Sequence, residues 1–420
     1  MGEALVKSSV FKIGKETTYG SAASSMTAIE LAGVPTFNDS FDTIERNIVR
    51  QAFSSFAPIR GTERVTGSLQ IEANEGLRHA YLYQGAFGYW QSASGGTDCD
   101  YTLTTTTSDT SITLTNSSSY TDPQMTIGTI SVSSALGFHV GYPIVIYNTS
   151  TTPDTITLAG FITDISGTNI TFITAHGAGS VAINASNAVS CGELFTLCDE
   201  HQTQVVSLPS YTYEYYRGNI TKEQYLGCMI SSMSLDMSTG QLIQPTFNWD
   251  GKTVEYSSDS DSSTPTSGQT PLVMRLSDIF MEDESGNVYQ KCISNIQLEL
   301  NNETFKKECV ATSGVGKVIR TARSVTGSLN TFYEDKSLQD AFKANTSFKL
   351  RALIGYSSGT SGSSHTQSSS LQAGRVLAIT IPNLKFSEIG IDEDTGIFKY
   401  NASFTCEPVN GDDEIALAWL

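Results

Sequence analysis

Three short motifs carry residue types that could do chemistry. Gly355-Tyr356-Ser357-Ser358-Gly359 has the spacing of a hydrolase nucleophile elbow, which presents a serine on a sharp turn between a strand and a helix. Here a Ser/Gly-rich stretch follows instead of a helix pattern, and the one later histidine is His365, six residues after Gly359. Gly314-Val315-Gly316-Lys317-Val318 hints at a phosphate loop, but the upstream glycine and the Ser or Thr after the lysine are missing. It reads as a tight turn between strands. Cys191, Cys198 and His201, with Asp199 and Glu200, form a cluster of metal-ligand types, yet the spacing fits no zinc pattern and offers no fourth ligand. The cysteines read better as small buried apolar residues. His79, His139 and His176 are dispersed, and Asp392-Glu393-Asp394 reads as a solvated hairpin tip. No set of nucleophile, base and oxyanion donor emerges, so no catalytic residue, cofactor or metal is expected, and the chain is not expected to be an enzyme.

The elements that would position such residues are strands. Only 16% of the 420 residues are charged, while Ser, Thr and Gly abound, a composition of short strands and small-residue turns. Lys and Arg number 25 against 43 Asp and Glu, a formal charge of −18. An acidic chain gains nothing from releasing phosphate counterions, so it should tolerate DNA rather than grip it. The same charge also serves solubility. No apolar run reaches the roughly 18 residues of a membrane span, Met1 to Gly20 lacks a signal-peptide pattern, and the seven cysteines form no paired framework. These features predict a soluble protein made in a cytoplasm, without membrane insertion.

An internal repeat is the strongest pattern. Val65-Thr66-Gly67-Ser68-Leu69 recurs as Val325-Thr326-Gly327-Ser328-Leu329. Alternating stretches, Phe41 to Phe53 and Ile293 to Val310, precede the two copies. Short helices are predicted after them, starting at Asn74-Glu75-Gly76 with Leu77 and Tyr81 on one face, and at Asp335-Lys336-Ser337 with Leu338 and Phe342. A hairpin follows each: Ile230 to Leu235, a turn at Thr239-Gly240 and Leu242 to Trp249; then Ile379 to Phe386, a turn at Asp394-Thr395-Gly396 and Ser403-Phe404-Thr405.

Within the first copy lies a foreign stretch. No Lys or Arg occurs between Arg78 and Arg217, and Gly95 to Ser207 is dense in Thr, Ser and Gly. Strand signals at Ser111–Leu114, Thr129–Val132, Pro143–Tyr147, Thr155–Phe161 and Asn169–Thr174 predict an inserted small all-β domain, Ig-like or barrel, of about 110 residues. Insertion at a loop tip predicts that it projects from its parent without sharing its core. Ser257 to Thr270 reads as a flexible linker, and Ser357 to Ser370 as a loop at the second copy's counterpart of the insertion site.

The opening Phe11-Lys12-Ile13-Gly14-Lys15-Glu16-Thr17-Thr18-Tyr19-Gly20-Ser21-Ala22-Ala23, the Val-Thr-Gly-Ser-Leu strand before a helix, and Leu226-Gly227-Cys228-Met229-Ile230 with its long hairpin resemble phage tail tube (major tail) proteins, in a variant with two tube domains. The resemblance implies a mainly β fold: two tandem β-sandwich tube domains, each with a short flanking helix, plus the all-β insert. The divisions expected are an N-terminal arm 1–25, a first tube domain 26–94 and 208–256, the exterior insert 95–207, a linker 257–271 and a second tube domain 272–420. It implies a structural subunit polymerising into stacked rings around a DNA-conducting lumen in the virion tail, assembled in the host cytoplasm. The expected partners are further copies of the chain, in trimeric pseudo-hexameric rings or alternatively hexamers, together with tape-measure and tail-terminator proteins. Genomic DNA would pass without specific binding. Cys228, Ile230, Met233, Leu235, Phe247, Trp249, Ile379, Ile381, Phe386 and Phe404 are the candidates for inner-wall strands. The arm or the linker would bridge adjacent rings. A virion decoration protein or adhesin with a glycan-binding insert is the alternative function.

Overall fold

The structure, a computed structural model, describes residues 8–45, 57–73, 79–95, 98–116, 125–148, 155–174, 176–183, 187–263, 265, 271–274, 277–286, 288–289, 293–308, 315–355, 358–361, 364–367, 376–394 and 396–420. It is mainly β. The first half of the body comprises β1 (Val10–Lys15), β2 (Thr27–Ile29), β3 (Thr36–Ile44), β4 (Ile59–Gln70), α1 (Ala80–Phe87), β5 (Tyr211–Arg217), β6 (Thr221–Ser238), β7 (Thr246–Gly251) and β8 (Thr253–Ser257). The second comprises β9 (Ser277–Asp283), β10 (Val288–Tyr289), β11 (Ile293–Asn301), β12 (Ser324–Phe332), α2 (Ser337–Lys343), β13 (Phe348–Ile354), β14 (Leu377–Asp394), β15 (Ile397–Cys406) and β16 (Ala416–Trp419).

The same pairings recur in both halves. In the first, β3 pairs with β4, β4 with β7 and β7 with β6. In the second, β11 pairs with β12, β12 with β15 and β15 with β14. The long strands β6 and β14 serve two layers. Their C-terminal parts lie in the sheet just named, and their N-terminal parts pair with β5 and β8, or with β13 and β16. The outer layers end in β1 and β2, or in β9 and β10. Each half is thus a sandwich, its inner faces filled by alternate apolar side chains. In β6 Met233, Leu235 and Met237 are buried while Ser234 and Asp236 are exposed, and in β11 Leu298 and Leu300 are buried while Gln297 and Glu299 are exposed.

The repeated glycine has a steric cause. Gly67 lies opposite Trp249 and Gly327 opposite Phe404. A Cβ on Gly67 would strike the Trp249 ring and the Thr36 carbonyl; one on Gly327 would strike the Phe404 ring and the Gln297 carbonyl. The bare backbone lets a large ring from the neighbouring strand lie flat over the ladder. Trp249 then packs against Tyr213 and Tyr225, with centroids 5.2 and 5.4 Å away, and Phe37 stacks on Tyr225 at 4.6 Å. Both long strands also bulge at matching places, between Ile230 and Ser232 and between Phe386 and Glu388.

Several expectations are corrected. Residues 10–15 of the supposed arm are strand β1, paired residue by residue with β5. The supposed linker is tied down at Asp261, whose carboxylate pairs with Lys12 and whose N–H reaches Asn219 Oδ1 at 2.6 Å. In α2 the buried pair is Leu338 with Ala341, and Phe342 is 38% exposed. The expected start of α1, including Leu77, lies outside the described residues; Tyr81 sits in its first turn. The loop after residue 355 lies between β13 and β14, the counterparts of β5 and β6, whereas the insert lies between α1 and β5. They are different sites.

The inserted strands form a separate antiparallel sheet: Thr104–Thr106, Ser111–Asn116, Thr126–Ser131, Pro143–Asn148, Thr155–Ser166, Asn169–Thr174, Gly179–Ala182 and Ala188–Ser190. Its core is not its own. Phe161, Phe172 and Val189 belong to one apolar cluster with Leu353, Ala378, Ala416 and Ala418 of the second half. At its base the strand Glu193–Thr196 pairs with β16 on one side and with Tyr89–Ser92 on the other. The insert therefore leaves the first half and docks on the second, because β16 has an open edge that this strand fills.

Replacing Gly67 or Gly327 by Ala should each cost about 1–3 kcal/mol, the usual penalty of overpacking. Urea unfolding measures it. A loss below about 0.5 kcal/mol at both sites would show that the rings do not need the bare backbone.

Candidate functional site

The two sandwiches are joined by one ladder. β6 pairs with β11 over seven residues, Ser232↔Asn301 through Leu235↔Leu298 to Ser238↔Asn295. The result is a continuous run, β3-β4-β7-β6-β11-β12-β15-β14, with one face on the core and one open. The open face is made largely of hydroxyls and amides: Asn248, Ser232, Ser234, Gln297, Asn301, Ser328, Asn401 and Ser403. They bond to one another. Asn248 donates to Ser232 Oγ at 2.9 Å, and Asn295 and Gln297 donate to the Asp236 carboxylate at 2.8 and 3.3 Å. A shallow trough of 540 Å³ runs across the β6–β11 junction, bordered by Asp236, Glu299, Ser328 and Thr405.

The ten inner-wall candidates sit on the other side of these strands. Cys228, Ile230, Met233, Leu235, Phe247, Trp249, Ile379, Ile381, Phe386 and Phe404 are all buried in the core. Of the repeat residues, Val65, Leu69, Val325 and Leu329 share that core, and Gly67 and Gly327 make room for it. Sequence reasoning missed the polar alternates, Ser234, Asp236, Gln297 and Glu299. Counting in twos from the buried residues would have found them, provided the extra residue at each bulge, Ser231 or Ser387, was recognised.

Both ends of the run are open. Among the described residues no strand lies on the outer side of β3, or of β14 beyond Leu384. Large apolar side chains are exposed there: Val34, Phe41 and Ile44 at 60, 39 and 57% on one end, Ile391, Ile397 and Phe398 at 42, 52 and 59% on the other. An unpaired strand edge flanked by exposed apolar groups is a ready template for another chain.

The motif Lys15 to Gly20 has a structural explanation. The Glu16 carboxylate is buried and accepts from Gly20 N–H, Gly227 N–H, Ser210 Oγ and Thr212 Oγ1 at 2.7–3.1 Å. It binds the end of β1 to β5 and to the bend of β6. Nearby, the Tyr19 hydroxyl accepts Val318 N–H at 2.9 Å, and burial pushes that phenol well above its usual range. Val318 belongs to the hairpin Thr304–Glu308/Val315–Arg320, which leaves β11 and folds back onto the first half, where Lys306 pairs with Asp250 at 2.8 Å.

The motifs that might have carried chemistry are dispersed. Cys191 is in the insert core, and Cys198 Sγ contacts the Tyr142 hydroxyl at 3.4 Å. Asp199, Glu200 and His201 lie close together, but Asp199 is engaged by the N–H groups of His201 and Thr203 and Glu200 by the Tyr89 hydroxyl. His139 Nε2 meets the Glu200 carbonyl at 2.7 Å, and burial lowers its pKa. Tyr356 and Ser357 of the elbow-like motif lie outside the described residues, and Ser358–Ser361 is a strand rather than the start of a helix. Val315 to Val318 is strand, not a phosphate loop.

Two sandwiches fused on one open sheet, polar on its free face and unpaired at both edges, have the form of a structural building block. A family model described as phage tail tube protein matches residues 7–407, and the chain belongs to that family. It is a structural subunit of a phage tail tube, a component of the virion tail. No curated protein matches the chain. No helix among the described residues is long and apolar enough to cross a membrane.

Glu16→Ala should destabilise the fold by about 3 kcal/mol, since it strands several buried donors, and Glu16→Gln by less. Thermal unfolding of both variants checks this; equal losses would show that the carboxylate's acceptor capacity is not what matters.

Proposed function

We propose that the chain carries two copies of one tube unit and polymerises into stacked rings, with the run from β3 to β14 forming an arc of the wall and its polar face lining a DNA-conducting lumen. The observation that carries this reading is the β6–β11 ladder: it joins the two halves edge to edge with their polar faces on the same side. Further copies added at β3 and β14 extend the arc, and closure consumes every edge. Three copies would bring about 24 strands, more than the 16 to 18 of barrels that hold an aqueous channel. A trimeric, pseudo-sixfold ring follows, and a hexamer with only one half at the lumen does not use both polar faces.

The chemistry of the face suits passage of DNA. Hydroxyls and amides share this face with the carboxylates of Asp236, Glu299, Glu388 and Asp392, and its cations are met by acids: Arg64 pairs with Asp42, Lys385 with Glu407, and Lys399 lies opposite Asp392. Partners would include tape-measure and tail-terminator proteins, with assembly in the host cytoplasm. The insert packs on the layer of β13, β14 and β16, across the sandwich from the open face, which supports an exterior location.

Negative-stain imaging and native mass spectrometry of the purified chain test the proposal. Rings of three chains or hollow tubes are expected; a compact oligomer that never stacks, or a ring of six chains, would overturn it. Assembled tubes should also show no measurable binding of duplex DNA near 150 mM salt, where screening still leaves close contacts intact. Retention of fluorescent duplex on sedimented tubes would contradict the reading of the face.

A further inference from the structure

The seam inside the chain is a template for the seam between chains. Aligning Gly67 with Gly327, Trp249 with Phe404 and the bulges at Ser231 and Ser387 brings the four-strand ladders of the two halves into one register. In this alignment Leu235 corresponds to Ile391, and Leu298, opposite Gly327, corresponds to Phe37, opposite Gly67. Resting on the ring assembly proposed above, we infer that 388–394 of one copy pairs antiparallel with 34–40 of the next. Ile391 then faces Phe37 as Leu235 faces Leu298, and Asp392 faces Thr36 as Asp236 faces Gln297.

Three features of the open edges match this register. Leu235 and Leu298 are 1 and 2% exposed across the internal ladder, while their counterpart Ile391 is 42% exposed at the free one. The bulge at Ser231 turns its carbonyl to Asn302 N–H at 2.7 Å, and the second bulge, at Ser387, stands on the free edge with Phe41 as the counterpart of Asn302.

The hairpin tips agree as well. Ala73 N–H bonds to Ile243 O and Tyr333 N–H to Phe398 O, both at 2.9 Å, so Ile243 and Phe398 are equivalent. Ile243 is fully buried because its N–H bonds to Leu272 O at 3.0 Å and Leu272-Val273-Met274 covers it; Phe398 is 59% exposed. A neighbouring copy added at the β14 edge would cover Phe398 as Leu272-Val273-Met274 covers Ile243.

The pairing Asp392–Thr36 can be trapped, because both side chains are exposed and their replacement leaves the core alone. Asp392→Cys is combined in turn with Thr36→Cys, Asn38→Cys and Ser40→Cys, and each assembled sample is treated with a short bis-maleimide, the parent chain serving as control. The edges carry Glu388, Asp392, Glu393 and Asp39, so assembly is run at an ionic strength that screens them. The Thr36 combination should give covalent trimers on a denaturing gel with at least a tenfold higher yield than the Ser40 one, whose site lies four residues, about 13 Å, along the strand. Highest yield at Asn38 or Ser40 in well-formed tubes would overturn the register while leaving the tube function standing. Absence of any polymer from the parent chain would instead sink the ring assembly. Phe398→Asp should abolish tubes without moving the Tm of the single chain; undiminished tubes would refute the tip contact.

Discussion

A strand edge that ends in solvent leaves a row of peptide groups facing water, and in the run from β3 to β14 one such row is closed internally while, among the described residues, the two at its ends are not. The seven-residue ladder between β6 and β11 is the closed one. It converts two sandwiches into a single sheet and sets their polar faces on the same side. Everything else in the body follows from it: the shared core around Leu235 and Leu298, the trough across the junction and the position of the two remaining edges at opposite ends of the run. Backbone hydrogen bonds must be satisfied somewhere, and an open strand edge is a template for another strand.

Much of this was legible in the residues. The Val-Thr-Gly-Ser-Leu repeat marked β4 and β12, and the paired turn glycines Gly240 and Gly396, both at positive φ, marked the hairpin tips. Five of the eight strands of the insert sheet were read from alternation, and Asn169–Thr174 matches its expected limits, while the short strands Thr104–Thr106, Gly179–Ala182 and Ala188–Ser190 were missed. The open polar face was not legible, because a bulge shifts the phase of alternation by one residue and nothing local announces it. Ser231 and Ser387 are ordinary serines in sequence. The buried residues Met233 and Phe404 therefore stood out as wall candidates when their polar neighbours hold the open face.

Tertiary pairing also overrode local appearance at the N-terminal end and in the insert. Residues 10–15 resemble a leading arm, yet the buried Glu16 carboxylate and the β5 ladder fix them in the outer layer. The lysine-free stretch looked self-contained by composition, but its apolar side chains Phe161 and Phe172 share a cluster with Ala378 and Ala418. Composition reports which residues want burial, not which surface will provide it.

The strand Glu193–Thr196 belongs in sequence to the first half and is laddered to β16 of the second. It acts as a brace spanning the hinge line at β6–β11, on the opposite layer of the sandwich. Flexing one half against the other would shear this brace and drag the insert's apolar base off Leu353 and Ala416. The placement of one half against the other is thereby held within a single chain, before any neighbour arrives.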